Sequence, residues 1–393
     1  MSSKKTLYID LGGISYHPDE KITGIPRVTL SLARELSHLK AYDGVDFNLI
    51  SLLHDGYKVP EDVMGKFGLV GGESDFESGS GTILLLDIYY FKFNFLNKLT
   101  PEIRSKYQVV DYIHDILPLT MDGMFQGSAF KFKHLVQQSL RFSDAIITPS
   151  RWTADQIVEY ILSNPEVQVG ESLKLGYSYH GADFSTRPTV PDNIGINVSF
   201  NKPYFLMVGT LEIRKNHFFV LEAFEKLWQE GVNVALCMAG RIGWMVEPLV
   251  EKLKNHPERN KRLFLFQGPS DAELVRLYKD AYCLIFASKG EGFGLPIIEA
   301  AHYGVPLLLS DITIFREIAS DNARYFSLES ELNLVAAITQ FLADDASGKR
   351  KEDSANIPQL SWLDSAKNMV DVIQKDNWHC EISHDKSVTY QAS

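Results

Sequence analysis

The sequence has few cysteines, no long apolar segment and no excess of basic residues, and each shortage excludes a class of protein. Three cysteines occur among 393 residues, at the widely separated positions Cys237, Cys283 and Cys380. A disulfide framework or a zinc site needs more cysteines or closer spacing. No stretch approaches the ~18 apolar residues of a membrane-spanning helix, and the first residues lack the apolar core of a signal peptide. We therefore expect a cytoplasmic protein.

The balance of charge argues against a protein that binds nucleic acid. Lysine and arginine total 39 against 50 aspartate and glutamate residues, which gives a formal net charge of −11. A dedicated nucleic-acid binder needs a broad basic face, which this composition does not favour. Hydrophobic residues make up 45% and charged residues 23% of the chain. These values are typical of globular proteins, and the length favours two domains.

Short apolar runs alternate with longer amphipathic segments, a pattern that predicts parallel sheets covered by helices. Two such helices are predicted at Arg27–Leu39 and His217–Trp228, where apolar residues recur at helical spacing. The predicted strands are Thr6–Asp10, Phe47–Leu53, Thr82–Asp87, Val109–His114, Ala145–Thr148, Tyr204–Val208, Asn233–Met238, Leu263–Phe266, Cys283–Phe286 and Pro306–Leu309.

One segment divides the strands into two series. Phe184–Pro203 contains three prolines and shows no clear hydrophobic period, which is typical of an interdomain linker. We therefore predict a first domain over residues 1–183, a linker over 184–202, a second domain over 203–375, and a tail over 376–393.

A glycine-rich loop follows one apolar strand of the second series. In Ser288–Ala300, Gly290, Gly292 and Gly294 permit a sharp turn and a close approach of backbone N–H groups to a ligand, and Pro296 suits the first turn of a helix. A helix start of this kind favours a diphosphate. The spacing differs from the phosphate-binding Walker motif and from the dinucleotide motif, so an ordinary Rossmann dehydrogenase is disfavoured.

Charged residues accompany this loop and another strand end. Glu291 and Glu299 are separated by seven residues, so the two carboxylates can meet one ligand at two places, although spacing alone also fits two solvated acids. Arg214 and Lys215 follow the strand Tyr204–Val208, and adjacent cations there can neutralise a departing diphosphate. Ligands of open α/β sheets collect at the carboxyl ends of strands, whereas two basic loop residues elsewhere are usually just solvated.

These motifs carry a resemblance to a known family. The run KGEGFGLPIIEAAHYGVPLLLSDITIFREI, together with VGTLEIRKNH, YIHDILP and ITPSRWT, resembles the retaining glycosyltransferases of family 4 over nearly the whole chain. The pair Glu291 and Glu299 is its most specific part. The resemblance implies an α/β GT-B fold, in which two Rossmann-like domains with parallel sheets face each other across a cleft. It also implies that the tail returns to the first domain.

The resemblance further implies a site. Glu299 would bind the donor ribose, Glu291 would lie beside the donor sugar, and Arg214 and Lys215 would hold the diphosphate. His114 would reach the donor sugar, although a histidine at a strand end is often structural. The other donor-binding residues that it implies are Gly12, Gly13, Arg27, Arg241, Phe266, Gly292, Phe293, Gly294 and Leu295. No metal and no cofactor are expected.

The expected function is retaining transfer of a hexose from a nucleotide-sugar to a saccharide or lipid-linked saccharide in the assembly of a bacterial surface polysaccharide such as an O-antigen. GDP-mannose is the first choice of donor, because Thr23–Val28 and Leu211–His217 resemble mannosyl- and rhamnosyltransferases of the family. A UDP-hexose or dTDP-rhamnose would use the same motifs. The alternatives are a nucleotide-sugar epimerase on the same architecture and a non-catalytic subunit that binds nucleotide-sugar.

Two segments interleave aromatic residues with lysines, namely Tyr89–Tyr107 and Phe130–Phe142. One interpretation is a helix on the inner surface of the membrane, with aromatic rings at the interface and lysines near the headgroups. The other is a pair of helices that face the core and point their lysines to water. Peripheral membrane contact is therefore a hypothesis.

Overall fold

The computed structural model describes residues 5–16, 24–39, 42–52, 58–70, 76, 78–86, 92–97, 99–125, 129–183, 203–349 and 352–391. The chain forms two compact units. Unit 1 comprises Met1–Thr120, Ser128–Gly181 and Leu360–Ser393, and unit 2 comprises Met121–Gly127 and Ala182–Gln359. The predicted linker 184–202 lies outside the described residues.

Unit 1 is built on a sheet that has eight strands among the described residues. Its strands are β1 (Lys5–Asp10), β2 (Val45–Ile50), β3 (Gly81–Leu85), β4 (Tyr107–Tyr112), β5 (Ala145–Thr148), β6 (Ser172–Tyr177), β13 (Cys380–Ser383) and β14 (Val388–Tyr390). Their spatial order is β2-β1-β3-β4-β5-β6-β13-β14. The first six strands are parallel, and the last two form an antiparallel hairpin at the edge of the sheet.

Helices cover this sheet and contribute to its cores. They are α1 (Gly12–Tyr16), α2 (Ile25–His38), α3 (Glu61–Phe67), α4 (Lys92–Leu96), α5 (Pro101–Arg104), α6 (Leu117–Thr120), α7 (Ala129–Phe142), α8 (Arg151–Ser163) and α15 (Trp362–Gln374). Apolar residues repeat along one face of α15, where Trp362, Ala366, Met369 and Ile373 are buried, as an amphipathic helix requires. This helix packs against α2 in unit 1, whereas the sequence assigned residues 203–375 to one domain.

Unit 2 is built on a parallel sheet of six strands in the described part of the chain. The strands are β7 (Tyr204–Val208), β8 (Ala235–Gly240), β9 (Leu263–Gln267), β10 (Cys283–Phe286), β11 (Leu307–Ser310) and β12 (Arg324–Phe326), in the spatial order β9-β8-β7-β10-β11-β12. The helices are α9 (His217–Gln229), α10 (Glu247–Asn255), α11 (Asp271–Lys279), α12 (Leu295–His302), α13 (Thr313–Ala319) and α14 (Glu331–Ala346).

Two glycines let the chain segments after β7 and β8 run close together. A Cβ atom on Gly240 would overlap the carbonyl oxygen of Gly209, so a side chain cannot be accommodated there without a shift of the backbone. Beyond this point the Leu211 N–H donates to the Arg241 carbonyl at 2.7 Å, and the Gly243 N–H donates to the Leu211 carbonyl at 2.8 Å. The close approach fixes the start of the loop that carries Arg214 and Lys215.

Within the segment Tyr89–Tyr107, helix α4 contributes to the core of unit 1. Lys92 Nζ lies 2.5 Å from Asp111 Oδ1 with both side chains buried, and Phe93 and Leu96 are buried beside it. The prediction that Lys92 contacts a lipid headgroup is therefore wrong, because Asp111 neutralises its charge inside unit 1. Within the described part of the chain, every helix is too short or too polar to cross a bilayer.

The fold predicts a strong effect of a methyl group at Gly181. A Cβ atom there would overlap the backbone of Trp362 and Ser361 at the start of α15, so Gly181→Ala should destabilise unit 1 by about 1–3 kcal/mol. Gly65→Ala is the matched control, because a Cβ at Gly65 meets no atom within 4 Å. This helical replacement should be neutral or stabilising by about 0.5–1 kcal/mol. Urea unfolding followed by circular dichroism measures both, and equal midpoints would contradict the docking of α15.

Candidate active site

The carboxyl ends of two neighbouring strands in unit 2 carry the predicted charged residues. Because β7 and β10 are parallel and adjacent, the loops that follow them leave the same edge of the sheet. Arg214 and Lys215 lie in a 3₁₀ turn, Ile213–Lys215, after β7. Glu291 lies in the glycine-rich loop after β10. The Lys289 N–H donates to the Arg214 carbonyl at 3.0 Å, which joins the two loops.

One oxygen of Glu291 binds both predicted cations. Arg214 Nη1 lies 2.8 Å and Lys215 Nζ 2.6 Å from Glu291 Oε1. The three side chains are only 10–12% exposed, so they are not solvated surface charges. The structure therefore brings these three predicted residues together, although the sequence gave no sign that Glu291 itself would hold the cations.

A second carboxylate completes the cluster. Glu212 Oε1 lies 2.5 Å from Arg214 Nη2, and the Glu212 side chain is almost fully buried. Arg214 also donates to the carbonyl of Gly290. Glu212 was missed by the sequence analysis, although it lies two residues before Arg214 in the same motif. Contacts from both loops therefore fix the orientation of the Arg214 guanidinium.

The two carboxylates have opposite pKa shifts. Burial alone would raise the pKa of Glu291, but the charges of Arg214 and Lys215 outweigh burial and lower it to about 2. For Glu212, burial is the larger effect and raises the pKa despite Arg214. Glu291 is therefore ionised at neutral pH, and the cluster contains preorganised charges of both signs.

The glycine-rich loop leads directly into α12. Gly294 caps this helix with a φ of 109°, in a region that side chains other than glycine rarely adopt. A Cβ there would also lie 3.2 Å from Ile297 Cδ1 and from Phe315 Cε1. Gly292 and Phe293 are buried in the loop, and Leu295 is the first residue of the helix. The positive φ therefore favours glycine at this position, and a Cβ there would require its neighbours to shift by a few tenths of an ångström.

Glu299 lies on the buried face of α12, where it is 2% exposed. The hydroxyl of Tyr278 on α11 donates to Glu299 Oε2 at 2.7 Å. Glu299 is thus not a solvated acid. Tyr278 was also missed by the sequence analysis, because no local pattern connects two residues that are 21 positions apart.

The predicted base-pocket residues lie at the ends of β8 and β9. Arg241 follows β8 and is half-buried, as is Phe266 in β9. A Cβ on Gly268, directly after β9, would lie 3.7 Å from Arg241 Cγ, so the two strand ends are close together.

His217 follows Lys215 by two residues and begins α9, and both of its ring nitrogens are buried and unpartnered among the described residues. Burial and Lys215 lower its pKa to about 3, so His217 is neutral.

The other predicted residues belong to unit 1. Gly12 and Gly13 begin α1 just after β1, and His114 lies two residues beyond β4, so they follow parallel strands of one sheet. Arg27 is half-buried in the first turn of α2, a helix that begins at Ile25. The buried His114 has an Nε2 atom without a partner in the described part of the chain. Burial, His180 and Lys92 lower its pKa, so the ring is neutral.

Comparisons with known proteins give matches to glycosyltransferases. Residues 193–358 match the model of the family glycosyl transferases group 1. The chain is 34% identical to the serotype-specific mannosyltransferase WbdA of Escherichia coli over 92% of the chain and 46% of the relative. It is 28% identical to the O-antigen chain mannosyltransferase RfbU of Salmonella typhimurium over 58% of each protein. The chain spans less than half of the length of WbdA.

A solved structure shows the fold. Anabaena Alr3699/HepE in complex with UDP and glucose aligns with a TM-score of 0.58 over 94% of this chain and 95% of that chain, at 14% sequence identity. The two parallel-sheet units and this likeness confirm the predicted α/β architecture, and the family model confirms the predicted resemblance. Residues 193–358 therefore resemble the group 1 glycosyltransferases, and the chain has the GT-B fold.

Proposed function

We propose that the chain is a retaining, metal-independent hexosyltransferase that moves mannose from GDP-mannose to a saccharide acceptor during the synthesis of a bacterial surface polysaccharide. The observation that carries the proposal is the shared contact of Arg214 and Lys215 with Glu291 Oε1. The names of the relatives WbdA and RfbU, both mannosyltransferases, support mannose as the sugar and O-antigen as the product class.

The charges fit the chemistry of sugar transfer. When the bond between the anomeric carbon and the nucleotide diphosphate breaks, negative charge develops on the diphosphate. Arg214 and Lys215 are already oriented and desolvated, and such groups stabilise developing charge without reorganisation. The leaving phosphate oxygen takes the proton of the acceptor hydroxyl as the new glycosidic bond forms on the same face. The two cations supply the neutralisation, so the proposal needs no divalent ion.

The carboxylates have separate tasks in this proposal. The diphosphate replaces Glu291 as a partner of the two cations. The oxygens of Glu291 then accept hydrogen bonds from hydroxyls of the donor sugar. Glu299 accepts hydrogen bonds from the ribose hydroxyls. His114 remains a prediction as a contact of the donor sugar.

The buried charges favour an enzyme over a non-catalytic subunit. Four charged side chains, those of Glu212, Arg214, Lys215 and Glu291, are held in one cluster with little exposure. Buried ion pairs contribute little net stability compared with apolar packing, so such clusters are typical of sites under functional constraint. An epimerase would use the same donor contacts, and only the requirement for an acceptor separates the two activities.

Loss of either donor contact should suppress activity. Lys215→Ala should lower the rate of nucleoside diphosphate release by about 100-fold or more, because one preorganised cation is lost. Glu299→Ala should weaken donor binding. Calorimetry and product release with GDP-mannose, UDP-glucose, UDP-N-acetylglucosamine and dTDP-rhamnose, with and without a saccharide acceptor, measure both effects.

Lys254→Ala serves as the control for this experiment, because Lys254 is an exposed lysine of α10 in the same unit. It should behave like the wild type. Turnover of one donor that depends on an acceptor supports the transferase, and conversion without an acceptor supports the epimerase. If the folded wild type binds none of the four donors, the proposed function is wrong.

We also propose that the acceptor is lipid-linked and that unit 1 contacts an anionic membrane through the start of α7. Phe130 is 79% exposed and Lys131 is exposed beside it. An aromatic ring next to a cation favours the headgroup region of a bilayer. The remaining residues of α7 that face the sheet are buried, as in an ordinary core helix.

Flotation with vesicles of phosphatidylglycerol and phosphatidylcholine tests this contact. The wild type should float at low salt, and Phe130→Ser combined with Lys131→Glu should abolish flotation. Leu162→Ser, which replaces another exposed apolar residue of unit 1, should leave flotation unchanged. A wild type that stays at the bottom of the gradient would show that the membrane proposal is wrong, and the transferase proposal would be unaffected.

A further inference from the structure

Glu299 is bound by a tyrosine that the charge cluster does not include. The hydroxyl of Tyr278 donates to Glu299 Oε2 at 2.7 Å. Tyr278 is 0% exposed and Glu299 is 2% exposed. A hydrogen bond from a neutral donor to a carboxylate is strongest where water is excluded, so this contact constrains the carboxylate much more than a surface contact would.

The protein holds the Tyr278 ring firmly. The ring stacks on Tyr303, just after α12, with 6.1 Å between the ring centroids and an angle of 17° between the planes. The preceding residue, Leu277, accepts a hydrogen bond from the hydroxyl of Tyr204 in β7 at 2.6 Å. At the other end of α11, Ser270 and Glu273 form a capping box that fixes the start of the helix. The phenol is therefore positioned by the sheet and by both helices.

This geometry suits a carboxylate that must face a diol. An ionised carboxylate has two oxygens and about four lone-pair sites. The hydrogen bond from Tyr278 sets the rotation of the carboxylate about the Cγ–Cδ bond and so the direction in which its oxygens face. The 2′- and 3′-hydroxyls of a ribose form such a diol, whereas a dideoxyribose offers no donor.

We propose that Tyr278 is a positioning residue that orients Glu299 toward the ribose hydroxyls and thereby determines the preference of the site for ribonucleotides. The inference deepens the proposed function, since it rests on Glu299 as the ribose ligand. In this proposal Tyr278 acts through Glu299 rather than by contact with the sugar or the diphosphate.

Tyr278→Phe tests the inference because it removes the hydroxyl and keeps the ring. Calorimetry would compare GDP and 2′,3′-dideoxy-GDP, and UDP with its dideoxy analogue, as probes of the intact chain. The wild type should prefer the ribonucleotide. In Tyr278→Phe the affinity for the ribonucleotide should fall by about 10-fold while the affinity for the dideoxy analogue stays unchanged.

Tyr282→Phe is the matched control. It also removes a hydroxyl that binds a carboxylate in unit 2, since the Tyr282 hydroxyl donates to Asp345 Oδ2 at 2.6 Å. This variant should keep the full preference for the ribonucleotide. If Tyr278→Phe lowers the affinity for the ribonucleotide and for the dideoxy analogue by the same factor, Tyr278 has a general structural role and the inference is overturned.

The variant Glu299→Ala separates the inference from the function on which it rests. If Glu299→Ala loses the preference for ribonucleotides and Tyr278→Phe retains it, the inference is wrong and the proposed function stands. If Glu299→Ala itself retains the preference, the assignment of Glu299 to the ribose fails and the inference fails with it. In the double variant, Tyr278→Phe should add no further loss to Glu299→Ala, because both act through one carboxylate.

Discussion

The contact of Arg214 and Lys215 with one oxygen of Glu291 is the interaction on which the proposed donor site depends. Neither cation could remain at 11–12% exposure without an anionic partner, because an unpaired buried charge is strongly destabilising. The contact is possible only because β7 and β10 are neighbours in a parallel sheet. The order of strands in unit 2 therefore brings together charges that lie 76 residues apart in the chain.

Several features of unit 2 follow from the need to hold these charges in fixed positions. The left-handed conformation of Gly294 turns the chain from the glycine-rich loop into α12, and the close approach of Gly209 and Gly240 fixes the start of the loop that carries Arg214. Glu212 and the Gly290 carbonyl bind the guanidinium from two sides. In the proposed donor site these contacts orient the cations in advance, and electrostatic stabilisation of a transition state uses groups that are already oriented.

The low pKa of Glu291 means that this carboxylate is ionised in the cluster. Glu291 is the ionised partner of the two cations, and their charges hold its pKa low. In the proposed function, a diphosphate takes the place of Glu291 beside the cations, and the side chain becomes a hydrogen-bond acceptor for the donor sugar. Glu212, whose pKa burial raises, keeps Arg214 in place throughout.

Much of the fold and of the site could be predicted because the signals are local. The strands Ala145–Thr148, Tyr204–Val208 and Cys283–Phe286 have the predicted bounds, since each is a short run of mainly apolar residues. Arg214 and Glu291 likewise lie in short, continuous sequence motifs.

The features that could not be predicted depend on tertiary contacts. The short strands β12 and β13 have too few residues to show a period. The apolar face of α15 indicates that the helix covers a sheet but not which sheet, and the lysine pattern around Lys92 does not reveal its partner Asp111. Tyr278 and Glu299 meet only after α11 and α12 have packed. In each case tertiary packing determines the partner, and the residues adjacent in sequence do not.

The most direct test of the central claim is a crystal structure of the chain with GDP-mannose. The account predicts that the diphosphate lies at the carboxyl ends of β7 and β10, with its oxygens within hydrogen-bonding distance of Arg214 and Lys215 and with Glu291 Oε1 released from at least one of them. A diphosphate bound elsewhere, with the contacts of Glu291 to both cations intact, would contradict it.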